Sequence, residues 1–77
     1  MAKASFPVRF GERVRELREK RSLSQEQLAN AAGLHRTHIS LIERGQRSVR
    51  LETIERLALA LHVQPAELIP ALVRKGR

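Results

Sequence analysis

The sequence contains no cysteine, no tryptophan and no tyrosine, and these absences exclude several kinds of chemistry. Without cysteine the chain forms no disulfide and has no thiolate nucleophile, which fits a reducing cytosol. Phe6 and Phe10 are the only aromatic residues, whereas proteins that bind single-stranded nucleic acid stack bases on aromatic side chains for about 1–3 kcal/mol per base. Single-stranded nucleic acid is therefore a poor fit as a partner.

Long apolar segments and aspartate are also missing. The longest uninterrupted apolar run, Leu57–Leu61, has five residues, far below the roughly 20 that span a bilayer, and the N-terminus has no apolar core of signal-peptide length. With 77 residues the chain is expected to form one domain, 1–77, with frayed basic ends at about 1–6 and 74–77. So small a core leaves little room for an enclosed active site, and a surface that binds a larger partner is the better fit.

Positive charge is in clear excess. Lysine and arginine number 15 against eight acidic residues, all of them glutamate, for a net charge of +7. This balance favours an anionic partner such as DNA, RNA or an acidic membrane surface, although many basic proteins bind no anion specifically. Two basic groups are expected to be solvated, the first because it alternates with glutamates at i,i+4 spacing: Arg9, Arg13, Arg15, Lys20 and Arg21 near the N-terminus, and Arg74, Lys75 and Arg77 in the tail.

Apolar residues recur at helical spacing in five segments, and no segment reads as a strand. The five predicted helices are Val8–Arg21, 24–33, His35–Arg44, Leu51–Leu61 and Pro65–Val73. Pro70 lies inside the last helix and must bend or shorten it, because proline lacks an amide hydrogen and crowds the preceding turn. In the fourth helix, the residues expected to point into the core are Leu51, Ile54, Leu57, Ala58 and Leu61.

The second and third helices carry clear boundary signals. Ser24 and Gln27 have capping-box spacing, and Gly33 can take the left-handed conformation that ends a helix. Only a short linker around Gly33 and Leu34 separates this helix from the next, which is the spacing of a helix-turn-helix over about 24–44. The expected architecture is therefore all-α, a compact bundle of five helices.

The stretch GLHRTHISLIERGQRS, residues 33–48, combines packing residues with an outward-facing polar set. A helix-turn-helix places the first turn of its second helix against base edges in the major groove of DNA. Arg36 can donate two hydrogen bonds to a guanine, and Thr37 can pack its methyl on a thymine methyl. We therefore predict that bases are read by Arg36, Thr37, His38 and Ser40. The alternative is that these are ordinary surface residues behind a cap at His35.

Metal binding and catalysis are not predicted. His35 and His38 are one turn apart, but the chain has no cysteine or aspartate to complete a metal site. No Ser–His–acid arrangement has the enclosed setting that nucleophilic catalysis needs. We expect no enzyme activity, no cofactor and no small-molecule ligand.

Residues 10–69 resemble the Cro/C1-type helix-turn-helix family, also called the XRE family. The motif that carries the resemblance is LREKRSLSQEQLANAAGLHRTHISLIERGQRSVRLETIERLALAL. Within the family, the segment LHRT followed by S.IERGQR is most similar to restriction–modification controller proteins. The resemblance implies a lambda-repressor-like DNA-binding fold and a role in transcription regulation, for a cytoplasmic, nucleoid-associated protein of bacterial or phage origin.

The resemblance also implies roles by position. Arg36 and Thr37 match base-contacting positions, Ser40 and Leu41 match positions at the groove edge, and Arg18 with Glu43 matches an ion pair between the first and third helices. Gln25 matches a residue that binds a DNA phosphate at a helix N-terminus, a place that favours phosphate. The full predicted phosphate-binding set is Ser24, Gln25, His35, Arg44, Gln46, Arg47, Ser48 and Arg50.

Two positions depart from the family pattern. Arg50 stands where many members carry Ser or Thr as the cap of the fourth helix, so that helix start is looser or Arg50 is turned toward phosphate. His38 stands where controller proteins often have Tyr. The base preference at this position is therefore left open, and a histidine there allows the preference to depend on pH.

One such domain reads about half an operator, because specific sites need two modules spaced about 10–10.5 base pairs or a multiple apart. We therefore predict a homodimer on a pseudopalindromic operator. Its interface is expected in the C-terminal part, at Val63, Leu68, Ile69, Leu72 and Val73, with simple capping of the core left open for Leu68 and Ile69. Two alternative functions remain: an antitoxin or protein-binding adaptor with secondary DNA binding, and a basic RNA-binding module.

Overall fold

The computed structural model describes residues 4–72, and every regular element within them is helical. Helices α1 (Phe6–Lys20), α2 (Gln25–Ala32), α3 (Arg36–Glu43) and α4 (Leu51–Leu61) are followed by a 3-10 turn at Pro65–Leu68. The predicted all-α class is confirmed, with four α-helices and one short turn in place of five helices. α3 packs against α1 and α2, and α4 packs against α2.

Helix α1 begins earlier than the predicted Val8. The Ser5 hydroxyl accepts a hydrogen bond from the Val8 amide at 3.4 Å, and Pro7 lies in the first turn, where its missing amide hydrogen costs nothing. Ser5 and Phe6, which were expected to fray, therefore cap and begin the helix. Residues 1–3 and 73–77, including Val73 and the basic tail, lie outside the described residues.

The predicted fifth helix is only a single 3-10 turn. It begins with Pro65 as expected but ends at Leu68, and Ile69 is extended with φ −90° and ψ 117°. A residue that precedes proline is disfavoured in the helical region, because the proline ring clashes with its backbone. Pro70 thus stops the helix through Ile69 rather than bending it.

Within residues 4–72, the core consists of twelve buried apolar side chains drawn from all five elements. They are Phe10, Val14, Leu17, Leu28, Ala29, Ala32, Ile39, Ile42, Leu57, Ala58, Leu61 and Leu68. The prediction that Leu51 points into the core is wrong, because 82% of this residue is exposed. The buried face of α4 runs through Thr53, Leu57 and Leu61 at i,i+4 spacing, so the first residue of the helix lies off that line.

A glycine sets the distance between α1 and α3. Gly11 is buried, and a Cβ placed on it would lie 2.8 Å from the carbonyl oxygen of Glu43 and closer still to that of Ile42. The two helix backbones can approach this closely only because residue 11 has no side chain.

No helix within residues 4–72 is both long and apolar enough to cross a membrane.

Candidate nucleic-acid interface

The start of α2 is fixed by a reciprocal capping box, as the sequence predicts. The Ser24 hydroxyl accepts from the Gln27 amide at 3.0 Å, and the Gln27 side-chain oxygen accepts from the Ser24 amide at 2.8 Å. Two amides that a helix N-terminus leaves without intrahelical partners are thereby satisfied. The cap gives α2 a defined first turn, from which Gln25 projects.

The turn between α2 and α3 is held by a left-handed glycine and two hydrogen bonds. Gly33 is left-handed with φ 69°, and the Leu34 amide donates to the carbonyl of Ala29 at 2.8 Å, which is the bond pattern of a Schellman helix end. Arg56 of α4 donates from Nη1 to the Gly33 carbonyl at 3.2 Å. Sequence reasoning missed Arg56, because no local pattern shows that α4 reaches this carbonyl.

Helix α3 presents one apolar and one polar face. Ile39 and Ile42 are fully buried, while Arg36 and Thr37 are exposed and His38, Ser40 and Leu41 are half-buried. Of the four residues predicted to read bases, Arg36 and Thr37 thus point away from the core in the first turn of the helix, and His38 and Ser40 are partly covered. Nothing in the described chain covers Arg36 or Thr37.

The N-terminus of α3 has no side-chain cap among the described contacts. His35 is the N-cap residue in extended conformation, but its imidazole makes no capping hydrogen bond. The first-turn amides of Arg36 and Thr37 therefore remain available to an acceptor from outside, and a helix N-terminus attracts anionic acceptors such as phosphate. His35 thus occupies the cap position named in the sequence alternative, but it caps without a side-chain hydrogen bond.

A buried carboxylate ties α3 to the elements before it. Glu43 is 8% exposed and accepts from Arg18 Nε at 2.6 Å, from Arg18 Nη2 at 3.0 Å and from Gln25 Nε2 at 3.0 Å. The structure thus joins the two residues predicted to pair and adds a third. The hydrogen bond that Arg18 donates to Glu43 raises the pKa of Arg18 against the opposing effect of burial, and Arg18 also donates to the Leu23 carbonyl at 2.7 Å.

Gln25 is placed by this network in a way the sequence did not suggest. Its Nε2 carries two hydrogens, and one of them is used by Glu43. The side chain is half-buried, so its amide plane is held by the same carboxylate that holds Arg18. One donor remains for the phosphate that the sequence prediction assigns to Gln25.

The loop after α3 carries the other residues predicted to bind phosphate. Gly45 is left-handed with φ 71°, and a Cβ there would lie 2.6 Å from the Cα of Val8, so the loop turns sharply against α1. The Gln46 amide donates to Leu41 and the Arg44 side chain donates from Nε to Ser40, both to backbone carbonyls. The remaining loop positions in the predicted set are exposed: Arg44, Gln46, Arg47, Ser48 and Arg50.

Arg50 and His38 are the two departures from the family pattern. Arg50 is the N-cap of α4, with no side-chain cap bond, so its guanidinium is free to face solvent. His38 has its pKa lowered, first by burial and second by the positive charge of Arg47. A lowered pKa keeps His38 neutral at pH 7, and a neutral imidazole offers one donor and one acceptor.

The residues predicted for a dimer interface do not form one surface. Leu68 is completely buried in the core beneath the 3-10 turn, so the prediction that it lies at an interface is wrong. Val63 is half-buried and packs against the core. Ile69 and Leu72 are 42% and 77% exposed.

A different set of apolar side chains surrounds Ile69. An open groove of about 220 Å³ is lined by Phe6, Phe10, Val49, Ile54 and Ile69, with Arg47 and Ser48 at one side. Phe6 is 38% exposed and Leu51, which adjoins Ile54 in a neighbouring depression, is 82% exposed. We call Phe6, Leu51, Ile54 and Ile69, together with the exposed Leu72 at the end of the described chain, the apolar surface.

Comparisons with known proteins agree with this geometry. Control protein C.BamHI of Bacillus amyloliquefaciens is 52% identical over 61 residues, which is 78% of this chain and 75% of the relative. Control protein C.SmaI of Serratia marcescens is 48% identical over 67 residues, 87% of this chain and 76% of the relative.

A solved structure gives the same result. The crystal structure of the restriction–modification controller protein C.AhdI from Aeromonas hydrophila superposes with a TM-score of 0.81 at 51% identity, over 82% of this chain and 96% of the other. The Helix-turn-helix family profile HTH_3 matches residues 14–68, more than half of the chain. The resemblance predicted from the motif is confirmed, and the chain belongs to this helix-turn-helix family.

Proposed function

We propose that this helix-turn-helix regulator binds double-stranded operator DNA as a homodimer and controls a restriction–modification operon. The observation that carries the proposal is the outward first turn of α3, where Arg36 and Thr37 are exposed on a helix anchored by Ile39 and Ile42. The similarity to control proteins, at 48% and 52% identity, supports the restriction–modification part of the proposal.

In this proposal α3 enters the major groove with its N-terminal end first. Arg36 offers a planar pair of donors to the O6 and N7 of a guanine, and Thr37 offers a methyl to thymine. His38 and Ser40, which are half-buried, contact the groove less deeply. Because the turn before α3 is fixed by Gly33 and Arg56, the reading side chains start from a defined position and little ordering is needed on binding.

Phosphate contacts set the register of α3 on the duplex. Gln25 has one side-chain amide hydrogen left beside its bond to Glu43. The backbone amides in the first turn of α3, which no side chain caps, can also donate to a phosphate. The exposed arginines Arg44, Arg47 and Arg50 supply charge that releases counterions, so affinity should fall steeply with salt. These contacts orient the protein and carry no base preference of their own.

The homodimer is proposed to form through the apolar surface. Each chain carries a net charge of +7, so two copies repel unless their contact excludes the basic faces. The five side chains of the apolar surface bear no charge, and they include the large apolar residues Leu51 and Leu72, which are 82% and 77% exposed. Burial of such side chains between two copies is the stabilising term.

Nothing in the proposal requires catalysis, a metal or a cofactor. The regulator acts where its operator lies, on DNA in the cytoplasm. The partner it needs besides the duplex is a second copy of itself.

The direct test is selection of bound fragments from a pool of random duplexes, followed by competition with single-stranded DNA and RNA of the same sequence. We expect a pseudopalindromic motif, preferred over both single strands. Selection of no motif would contradict sequence-specific binding. A motif that does not occur upstream of methyltransferase and endonuclease genes would overturn the operon assignment while leaving the regulator in place.

A further inference from the structure

Two arginines of α1 hold the C-terminal segment of the described chain. Arg13 Nε donates to the carbonyl of Glu67 at 2.7 Å, and Arg9 Nη1 donates to the carbonyl of Ala71 at 2.7 Å. The bonds join residues 54 and 62 positions apart in the sequence. Arg9 also lies over the ring of Phe6, with its guanidinium carbon 5.4 Å from the ring centre, a geometry that gives a cation–π attraction.

The segment held by these bonds has few backbone bonds of its own. After the 3-10 turn, the Ile69 amide donates to Ala66, and Pro70 has no amide hydrogen to donate. Leu68 is anchored in the core, whereas Ile69 and Leu72 are exposed. Besides the buried Leu68, the carbonyl oxygens of Glu67 and Ala71 hold this segment, because they accept from Arg13 and Arg9 of α1.

We propose that Arg9 and Arg13 are positioning residues for self-association. They hold residues 67–72 so that Ile69 and Leu72 stand beside Phe6 as one apolar surface. The inference rests on the proposed homodimer and names α1 residues that control its strength. Without the two bonds, the segment would have to be ordered at the moment of association, which weakens binding.

The neighbouring charged residues of α1 do not share this role. Arg15 pairs with Glu19 of its own helix at 3.1 Å and is well exposed, as the sequence pattern predicts for the whole basic group. Arg13 combines both behaviours, because its Nη1 also pairs with Glu16 at 2.9 Å while its Nε reaches Glu67. Charge alone therefore does not distinguish the positioning arginines from the solvated ones.

The test compares three double variants of the full chain by sedimentation equilibrium. Arg9→Ala with Arg13→Ala removes both bonds, Arg9→Lys with Arg13→Lys keeps charge and one donor at each position, and Arg15→Ala with Lys20→Ala removes the same charge elsewhere on α1. We expect the dimer dissociation constant to rise about tenfold in the first variant and to recover in part in the second. In the third it should be unchanged or lower, because loss of positive charge reduces repulsion between copies.

A second measurement separates positioning from general destabilisation. Urea unfolding is followed at a concentration where the unmodified protein is monomeric, and the methyl NMR signals of Ile69 and Leu72 are recorded in the same sample. We expect the alanine variant to keep nearly the unfolding midpoint of the unmodified monomer while the two methyl signals move toward values for a disordered chain. If the alanine variant does not fold, the lysine variant provides the same comparison.

The outcomes distinguish the inference from the proposal beneath it. If the unmodified protein dimerises and the alanine variant dimerises equally well, or if the Arg15 and Lys20 control weakens association as much, the positioning role is overturned and the homodimer stands. If the unmodified protein stays monomeric at all concentrations and on its operator, the homodimer itself is overturned, and this inference with it.

Discussion

Arg18 on α1 and Glu43 at the end of α3 form a two-point ion pair, with Nε to Oε2 at 2.6 Å and Nη2 to Oε1 at 3.0 Å. Their side chains are 11% and 4% exposed, so the pair is screened from solvent. Because Gln25 of α2 donates to the same carboxylate, one buried group connects the three helices that surround the candidate interface.

Loss of Arg18 should therefore destabilise the whole domain. We expect Arg18→Ala to cost about 3–5 kcal/mol of unfolding free energy, because it leaves the Glu43 carboxylate buried without its cation. The matched control is Arg15→Ala, which breaks an exposed pair and should cost at most about 1 kcal/mol. Urea denaturation followed by circular dichroism checks both, and equal unfolding midpoints for the two variants would show that the buried pair contributes nothing special.

Arg36 should determine preference for one base pair. We expect Arg36→Ala to weaken binding to the selected operator by about 1–3 kcal/mol and to relax preference at that position. Arg15→Ala removes the same charge from α1 and should leave the preference intact. Fluorescence anisotropy against duplexes with single base changes gives the readout. If the Arg36 variant keeps both affinity and preference, the base-reading role of Arg36 is wrong.

Gln25 should affect all duplexes alike. We expect Gln25→Ala to weaken binding to every duplex in that panel by a similar factor, because a phosphate contact carries no base information. Gln25→Glu should weaken binding further, since it adds a negative charge beside Glu43 and beside the DNA backbone. A change in affinity confined to one operator base pair would contradict the phosphate role.

Gly11 should tolerate no side chain. We expect Gly11→Ala to cost about 1–3 kcal/mol, because overpacking of a close helix contact forces the backbones apart. The neighbouring exposed residue supplies the control, and Glu12→Ala should change stability by no more than about 0.5 kcal/mol. Thermal unfolding of the two variants makes the comparison, and a Gly11→Ala protein as stable as the Glu12→Ala protein would show that α1 and α3 can separate freely.

His38 should make stability depend on pH in a defined direction. Its pKa in the folded protein is lowered by burial and by Arg47, whereas an unfolded histidine has a pKa of about 6.5. In the window below pH 6.5 the unfolded state binds more protons than the folded state, so the unfolding free energy falls as the pH drops. Urea midpoints at pH 7.5 and 5.5 should differ less in His38→Gln than in the unmodified protein, and the same difference in both would remove His38 as the cause.

Local signals in the sequence predicted the helix-turn-helix well. The Ser24–Gln27 capping box and the left-handed Gly33 act between residues that are adjacent along the chain, so their spacing alone specifies the geometry. The outward placement of Arg36 and Thr37 follows from the same helical periodicity that buries Ile39 and Ile42.

The parts that the sequence did not predict depend on contacts between distant residues. The predictions that Leu51 lies in the core and that Leu68 lies at a dimer interface are both wrong, because the sequence pattern does not show which other element covers a helix end. Arg9 was predicted to be solvated and Arg56 was given no role, yet Arg9 donates to a carbonyl 62 positions away and Arg56 to one 23 positions away. No local pattern marks Gly11, because its importance comes from the backbone of α3, which packs against it.

The groove beside α1 shares part of its wall with the loop after α3. Arg47 and Ser48 of that loop line the groove together with Phe6, Ile54 and Ile69. Whatever fills the groove therefore touches the same few residues that are expected to grip the DNA strand. Pairing of two chains and capture of an operator should consequently be thermodynamically linked, and each should change the affinity of the other by the same factor.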